Sequence, residues 1–203
     1  MRRCRRPELM DDPGLDPQAH AHALLSLNRI NRLLCVDFHI RVAMSGFGLP
    51  DRFSMIDLGV GGGGFLAYLG KRHGGPNGPL LVGLDRATFA LRQARAWHDG
   101  RIHAVAADAR RIPLADGSID MVTCSLFLHH FDPPDVVEIL REAARVARRG
   151  IVISDLARSR LALLLTWLAT RMFSRSYVFH EDGARSVRAA FRVDELAELA
   201  QRA

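Results

Sequence analysis

The sequence predicts an α/β fold, a doubly wound and mostly parallel sheet preceded by a helical N-terminal extension. Three observations carry this. From residue 53 onward, short apolar runs alternate with helical segments. A glycine-rich turn follows the first run, in Met-Ile-Asp-Leu-Gly-Val-Gly-Gly-Gly-Gly-Phe from Met55 to Phe65. Acidic residues stand where successive runs end, at Asp57, Asp85 and Asp108. Short, nearly continuous apolar strands separated by helices imply a parallel sheet covered on both faces. Right-handed crossovers then wind it on both sides.

The elements follow in order. Residues 1–50 form a separate, helical region. After the turn-rich Asp-Asp-Pro-Gly-Leu-Asp-Pro (11–17), Leu24, Leu27, Ile30, Leu34 and Phe38 recur at helical spacing, until Gly46, Gly48 and Pro50 end the segment. Residues 51–203 form the second region. Strands are expected at Phe53–Leu58, Leu80–Leu84, Ile102–Ala107, Ile119–Leu126 and Ile151–Ser154. Helices are expected at Gly64–Arg72, Ala87–His98, Pro134–Ala147, Arg160–Phe173 and Val193–Arg202, with a break at 74–79.

Composition narrows the class. The 203 residues are enough to bury a sizeable core, and 48% hydrophobic with 25% charged content is ordinary for a globular domain. Cys4, Cys35 and Cys124 are odd in number and far apart, which points to a reducing, cytoplasmic setting without a disulfide framework. The nine histidines lack ligand spacing, so no metal is expected. Net charge is +6, and four arginines fall in the first six residues. A solvated basic tail accounts for them, and no base-reading motif argues for nucleic acid. Leu161–Phe173, interrupted by Arg171, is too short for the ~20 apolar residues of a membrane span.

The chemistry sits at the strand ends. In an open parallel sheet, ligands bind outside the carboxyl ends of the strands. Gly59, Gly61 and Gly63 let a ligand approach the backbone, and the next helix aims its free N–H groups at the same place. Asp85, about 25 residues beyond the turn, suits the two hydroxyls of a ribose, or else caps a helix. Gly59, Gly61 and Gly64 also satisfy GxGxxG, so the turn alone fits a dinucleotide equally well. His129 and His130 follow the fourth strand and are the candidate catalytic bases. The alternative is that one caps the loop and the other packs on Phe127 or Phe131.

With Ala-Asp-Ala-Arg-Arg-Ile-Pro-Leu (107–114) and Asp-Gly-Ser-Ile-Asp-Met-Val (116–122) added to Ile-Asp-Leu-Gly-Val-Gly-Gly-Gly (56–63) and Val-Gly-Leu-Asp (82–85), the chain resembles the class I S-adenosylmethionine-dependent methyltransferases. The resemblance covers about residues 53–156 and implies a Rossmann-like methyltransferase fold. It implies that Asp57 and the glycines hold the methionine portion of S-adenosylmethionine and that Asp85 binds the ribose. Asp108 would accept from the adenine amino group, Ala109 or Arg110 would offer a backbone N–H, and Arg86 would flank the nucleoside. Asp120 would support the start of the fourth strand. Segments 8–16, 154–156 and 180–191 are similar to a bacterial subgroup associated with polyketide or quinone-like molecules. The resemblance therefore implies a small aromatic or apolar acceptor, methylated on oxygen or carbon.

That family ends in a sixth and a seventh strand, which have no counterpart before Ala203. A C-terminal truncation is expected, with dimerisation through the exposed edge as its compensation. Helix 160–173 is read either as core or, with Leu27, Ile30 and Leu34, as a wall for the acceptor. His180 and Asp182 read as a surface loop. Competing readings are a nicotinamide- or flavin-dependent oxidoreductase and a non-catalytic cofactor-binding module.

Overall fold

The computed structural model describes residues 1–12, 14–73, 78–97 and 102–203. Five parallel strands form one sheet: β1 (Ser54–Leu58), β2 (Leu80–Asp85), β3 (His103–Ala106), β4 (Ile119–Ser125) and β5 (Ala147–Ser154). Their spatial order is β3-β2-β1-β4-β5. The chain therefore steps outward from β1 on one side, then returns to β1's other side with β4. This reversal opens a crevice above the carboxyl ends of β1 and β4, where open α/β sheets bind ligands. The expected strands and helices are all found, shifted by a few residues at most except for the early start of β5. His98 and residues 74–77 lie outside the described residues.

Helices α1 (Pro17–Leu33), α2 (Val36–Ser45), α3 (Gly64–Arg72) and α4 (Thr88–Trp97) precede β3; α5 (Pro133–Val146), α6 (Arg160–Phe173), α7 (Tyr177–Ala189) and α8 (Val193–Gln201) follow β4. Alternation along β1 divides the core. Met55 faces Phe65, Leu66 and Leu69 of α3 with Ile40 and Met44 of α2, while Ile56 and Leu58 face Val136, Ile139, Leu140 and Ala143 of α5. Those α5 residues recur at helical spacing and are all buried, so one stripe of that helix covers the sheet. Asp120 locks β4 to β1: Ser54 donates to Oδ2 from its backbone N–H at 2.8 Å and its hydroxyl at 2.9 Å.

Three expectations are corrected. The helical extension is two helices, because Cys35 adopts a left-handed φ of 53° that interrupts the first. Leu34 and Phe38 consequently point outward, at 60% and 47% exposure. The basic N-terminus is docked instead of solvated. Arg3 donates to the carbonyls of Ala189, His129 and Phe131, Arg5 pairs with Asp132, and Cys4 N–H bonds Arg188 O. Finally, residues 177–189 form α7, and Asp182 is buried within it, accepting from the N–H groups of Leu9 and Met10.

Helix α6 is not core. Only Thr170 on it is buried, while Leu161, Leu164, Leu165, Trp167, Leu168 and Met172 are exposed. No helix among the described residues is long and apolar enough to cross a membrane. Cys124 is buried and free; Cys4 and Cys35 are exposed and free.

Candidate active site

The glycine turn is held by backbone hydrogen bonds and crowded by neighbouring side chains at Gly59 and Gly64. Gly59, Gly61 and Gly63 have φ of 69°, 49° and 71°, the left-handed region that other residues adopt only at a cost. The N–H groups of Gly59 and Val60 both donate to Leu84 O, at 2.8 and 3.1 Å, so the turn hangs from the end of β2. Gly63 is the N-cap of α3. A Cβ on Gly59 would lie 2.1 Å from the Phe127 ring, and one on Gly64 would lie 2.7 Å from Asn28 Oδ1. The turn is thus bounded by the residue after β4 on one side and by α1 on the other.

Asp57 and Asp85 flank this turn. Asp57 is buried and accepts a 2.7 Å hydrogen bond from Thr123 Oγ1. Burial is the main force on it and raises its pKa to about 7, with the charges of Asp37 and Asp85 acting in the same direction. Asp85 accepts from Gly61 N–H at 3.0 Å through Oδ2 and from Ala87 N–H at 2.8 Å through Oδ1. It therefore shapes the turn as well as standing at its rim. Each carboxylate oxygen has a second acceptor direction left for a hydroxyl.

The next strand end departs from expectation. Asp108 is clamped by Arg110, at 2.7 Å through Nη2, and Arg110 Nη1 reaches Asp135 of α5 at 2.9 Å. The hydrogen bond from Arg110, with its charge, holds Asp108 at about 2 despite opposing desolvation. Arg110 also spends its backbone N–H on Asp108, at 3.0 Å. Of the two backbone N–H groups the resemblance offered to the adenine ring, Ala109 and Arg110, that of Arg110 is thus engaged within the loop. Arg86 lies outside the pair, its guanidinium 69% exposed and 3.8 Å from Asp108. Ala109 is buried and its methyl belongs to the core. Arg145 fixes this loop, donating to the carbonyls of Ile112 and Leu114.

The histidines are placed differently from the expected bases. His129 is buried, with Nδ1 2.6 Å from Asp155 Oδ1 and Nε2 3.5 Å from Glu8 Oε1. Burial works against its charge, but Asp155 and then Glu8 outweigh it and raise the pKa to about 10. An imidazolium with both nitrogens engaged has no lone pair to accept a proton. His130 stacks on His129 with ring centroids 4.4 Å apart, and its Nδ1 lies 3.3 Å from Asp11. Both rings thus face carboxylates, His129 those of Asp155 and Glu8 and His130 that of Asp11. The side chain after β4 that does reach the glycine turn is Phe127, which the sequence reading used only as a packing partner. Asp155→Ala should lower stability by about 3–5 kcal/mol, because it strands a buried charge. Urea denaturation checks this.

Helix α1 covers the turn from the other side. Leu24 lies 4.0 Å from where a Gly61 Cβ would stand, Asn28 meets Gly64, and His20 stacks on Phe89 at 4.6 Å.

A sheet reversing beside a left-handed glycine turn, with acidic residues ending β1 and β2, is the architecture that the resemblance to class I S-adenosylmethionine-dependent methyltransferases implies, and the match to a methyltransferase domain falls on it. Residues 56–154 match the family described as methyltransferase domain. The demethylmenaquinone methyltransferase of Corynebacterium kroppenstedtii is 35% identical over 96 residues, covering 47% of this chain and 38% of the relative. That of Roseiflexus is 36% identical over 115 residues, covering 54% and 45%. The chain spans less than half the length of the curated relatives it matches. Among solved structures, the plantazolicin methyltransferase BpumL, in complex with S-adenosylhomocysteine and a substrate analogue, aligns with a TM-score of 0.64 at 17% identity. That alignment covers 90% of this chain and 66% of BpumL. A methyltransferase from Aquifex aeolicus aligns at 0.56 and 19% identity, over 78% and 87%. These likenesses show the fold.

Proposed function

We propose that this chain transfers the methyl group of S-adenosylmethionine to a small aromatic or apolar acceptor. The observation that supports this best is the left-handed glycine turn, fastened to β2 by Asp85 and floored by Asp57. The residues present fit the donor. Its ammonium and sulfonium charges match Asp57, its ribose hydroxyls match Asp85, and its methionine part matches a turn without side chains. For the adenine, Ala109 N–H and the Asp108–Arg110 rim are the nearest groups of the expected set. The quinone methyltransferases among the relatives favour an aromatic acceptor.

The donor supplies an already activated methyl on positively charged sulfur. The acceptor attacks that carbon in line, the carbon–sulfur bond breaks, and the proton of an oxygen or carbon acceptor leaves to solvent or a water chain. The protein's part is positioning and exclusion of water. Alignment of two bound reactants is worth about 7–11 kcal/mol of barrier. Phe127 and α1 close over the turn and supply the apolar wall. Neither His129 nor His130 serves as base in this reading, so kcat should show no histidine titration between pH 6 and 8. A step in the pH profile of kcat that disappears in His130→Asn would restore the base assignment.

Asp57 makes donor binding depend on pH. A cationic ligand binds best to the ionised carboxylate, so below pH 7 a proton must leave on binding. Affinity for S-adenosylmethionine should rise about tenfold from pH 6 to pH 8, and Asp57→Asn should flatten the profile. The ligand-free fold has the opposite preference. A raised carboxyl pKa contributes stability below the ordinary carboxylate value of 3.8, and that contribution is lost as pH climbs through about 7. Calorimetry in buffers of different ionisation enthalpy reads the released proton directly.

The exposed face of α6 serves, in the same proposal, as a wall on the acceptor's path, together with α1 of the helical region 1–50. Leu164 is 54% exposed. Leu164→Asp should therefore leave Tm nearly unchanged while raising the acceptor KM and sparing donor affinity. β5 stands at the sheet's edge, and we include a homodimer through it, which a monomeric sedimentation profile would exclude. Three free cysteines support a reducing, cytoplasmic setting.

A further inference from the structure

The N-terminal segment meets the turn after β4 at a cluster that the methyl-transfer reading does not use. Glu8 is 7% exposed, and among the described residues its only ion-pair partners are two imidazoles. Its Oε1 lies 3.5 Å from His129 Nε2, and its Oε2 lies 3.9 Å from His130 Nε2. The opposite nitrogen of each ring faces a carboxylate: His129 Nδ1 lies 2.6 Å from Asp155, and His130 Nδ1 lies 3.3 Å from Asp11. The Ser186 hydroxyl donates to Glu8 Oε1.

We propose that Glu8, His129 and His130 form a binding site for one divalent transition-metal ion of the zinc class, clasping the N-terminal segment to the turn after β4. Two imidazoles and a carboxylate are a donor set suited to zinc and cobalt(II). One Glu8 oxygen, His129 Nε2 and His130 Nε2 lie within 4.8 Å of one another. Zinc–nitrogen bonds of about 2.0–2.1 Å put tetrahedral ligand atoms about 3.3 Å apart, so the set closes with movements of about 1 Å. His130 is 24% exposed and can make them.

The outer partners are the second argument. A metal-bound histidine characteristically donates its other N–H to a carboxylate, which fixes the tautomer and ring plane. Asp155 and Asp11 stand where this requires them, one for each ring. The two aspartates come from different elements, which a simple pairing of one histidine with one acid would not need. A cleft of ~20 Å³, lined by Glu8, Asp11, His129 and His130 and also by Arg5 and Arg6, admits a water as the fourth ligand. On binding, the Nε2 proton of His129 leaves to solvent and the Nδ1–H stays on Asp155.

The ion would be structural and separate from the donor site, where the side chains that meet the glycine turn are Phe127, Leu24 and Asn28. An ion ligated from residues 8, 129 and 130 closes a loop of more than a hundred residues.

The test uses the full chain stripped with chelator and titrated with cobalt(II), read by visible absorption, followed by displacement with zinc. One equivalent should give the intense bands of a four-coordinate site, and zinc should abolish them. Glu8→Gln and His130→Asn should each weaken cobalt binding at least ~10-fold, while His22→Asn should bind like the parent. In the parent chain, which needs no variant to fold, zinc should raise Tm and slow tryptic cleavage after Arg5. Absence of cobalt bands in protein shown folded by circular dichroism would overturn the proposal. So would bands that persist unchanged in both Glu8→Gln and His130→Asn, or zinc that leaves cleavage after Arg5 unaltered.

Discussion

Gly59→Ala is expected to abolish donor binding and to lower stability by about 2–4 kcal/mol. Two costs combine at this residue. Its φ of 69° is left-handed, which a side chain opposes, and its Cβ would stand 2.1 Å from the Phe127 ring. Phe127 cannot retreat easily, because it stacks edge-on against Phe131 at 4.8 Å and packs against the buried core of β4 and α5. Relief by turning the backbone instead would break the Gly59 N–H bond to Leu84 O. The double variant Gly59→Ala/Phe127→Ala separates the two costs. It should recover the steric part of the loss and leave the backbone part. Chemical denaturation reads stability, and titration with S-adenosylhomocysteine reads the site. Full binding by the single variant would show that the turn does not cradle a ligand.

Asp85→Ala should weaken S-adenosylhomocysteine by about 100-fold or more while Tm falls only slightly. Hydrogen bonds to a charged group are worth about 1.5–3 kcal/mol each, and two ribose hydroxyls would lose theirs together. The same change releases the Gly61 N–H from its 3.0 Å bond, so the turn loses a fastening as well. Asp85→Asn distinguishes these contributions. An amide keeps one acceptor, so it can hold either Gly61 or a hydroxyl, and binding should fall between parent and alanine. If Asp85→Ala binds S-adenosylhomocysteine like the parent, Asp85 is a helix-cap residue and nothing more.

The centre of the sheet was legible because β1, β2 and β4 are buried almost throughout and therefore read as nearly unbroken apolar runs. Leu81, Val82 and Leu84 in β2 and Met121, Val122 and Cys124 in β4 are all buried. The glycine turn was legible because positive φ selects glycine, and Gly59, Gly61 and Gly63 all have it. Asp57, Asp85 and Asp108 were found by their place at strand ends, a local signal. Their partners were not. Thr123 lies 66 residues from Asp57, and a hydrogen bond at that separation leaves no spacing pattern in the sequence.

The N-terminal segment was missed for the same reason. Arg3 and Arg5 look like a free basic tail, yet their acceptors are carbonyls and carboxylates on the β4 turn and α7. Acceptors of this kind carry no residue signature. His129 follows a strand, which suggests a place in the crevice, yet its two ring nitrogens face Asp155 and Glu8, distant partners that leave no local pattern. In α6, apolar residues almost all round suggested core. Their exposure shows that hydrophobicity alone does not say what a helix packs against. Asp182 gives the reverse case, an acid in a polar stretch that is buried because two backbone N–H groups satisfy it.

Calorimetric titration of the folded chain with S-adenosylhomocysteine, run beside an identical titration with NAD, tests the account most directly. One equivalent of S-adenosylhomocysteine should bind in the micromolar range with no heat from NAD, and Asp85→Ala should remove the signal. Binding of NAD in its place, or of neither ligand by protein shown to be folded, would contradict the assignment of the glycine turn to a methyl donor.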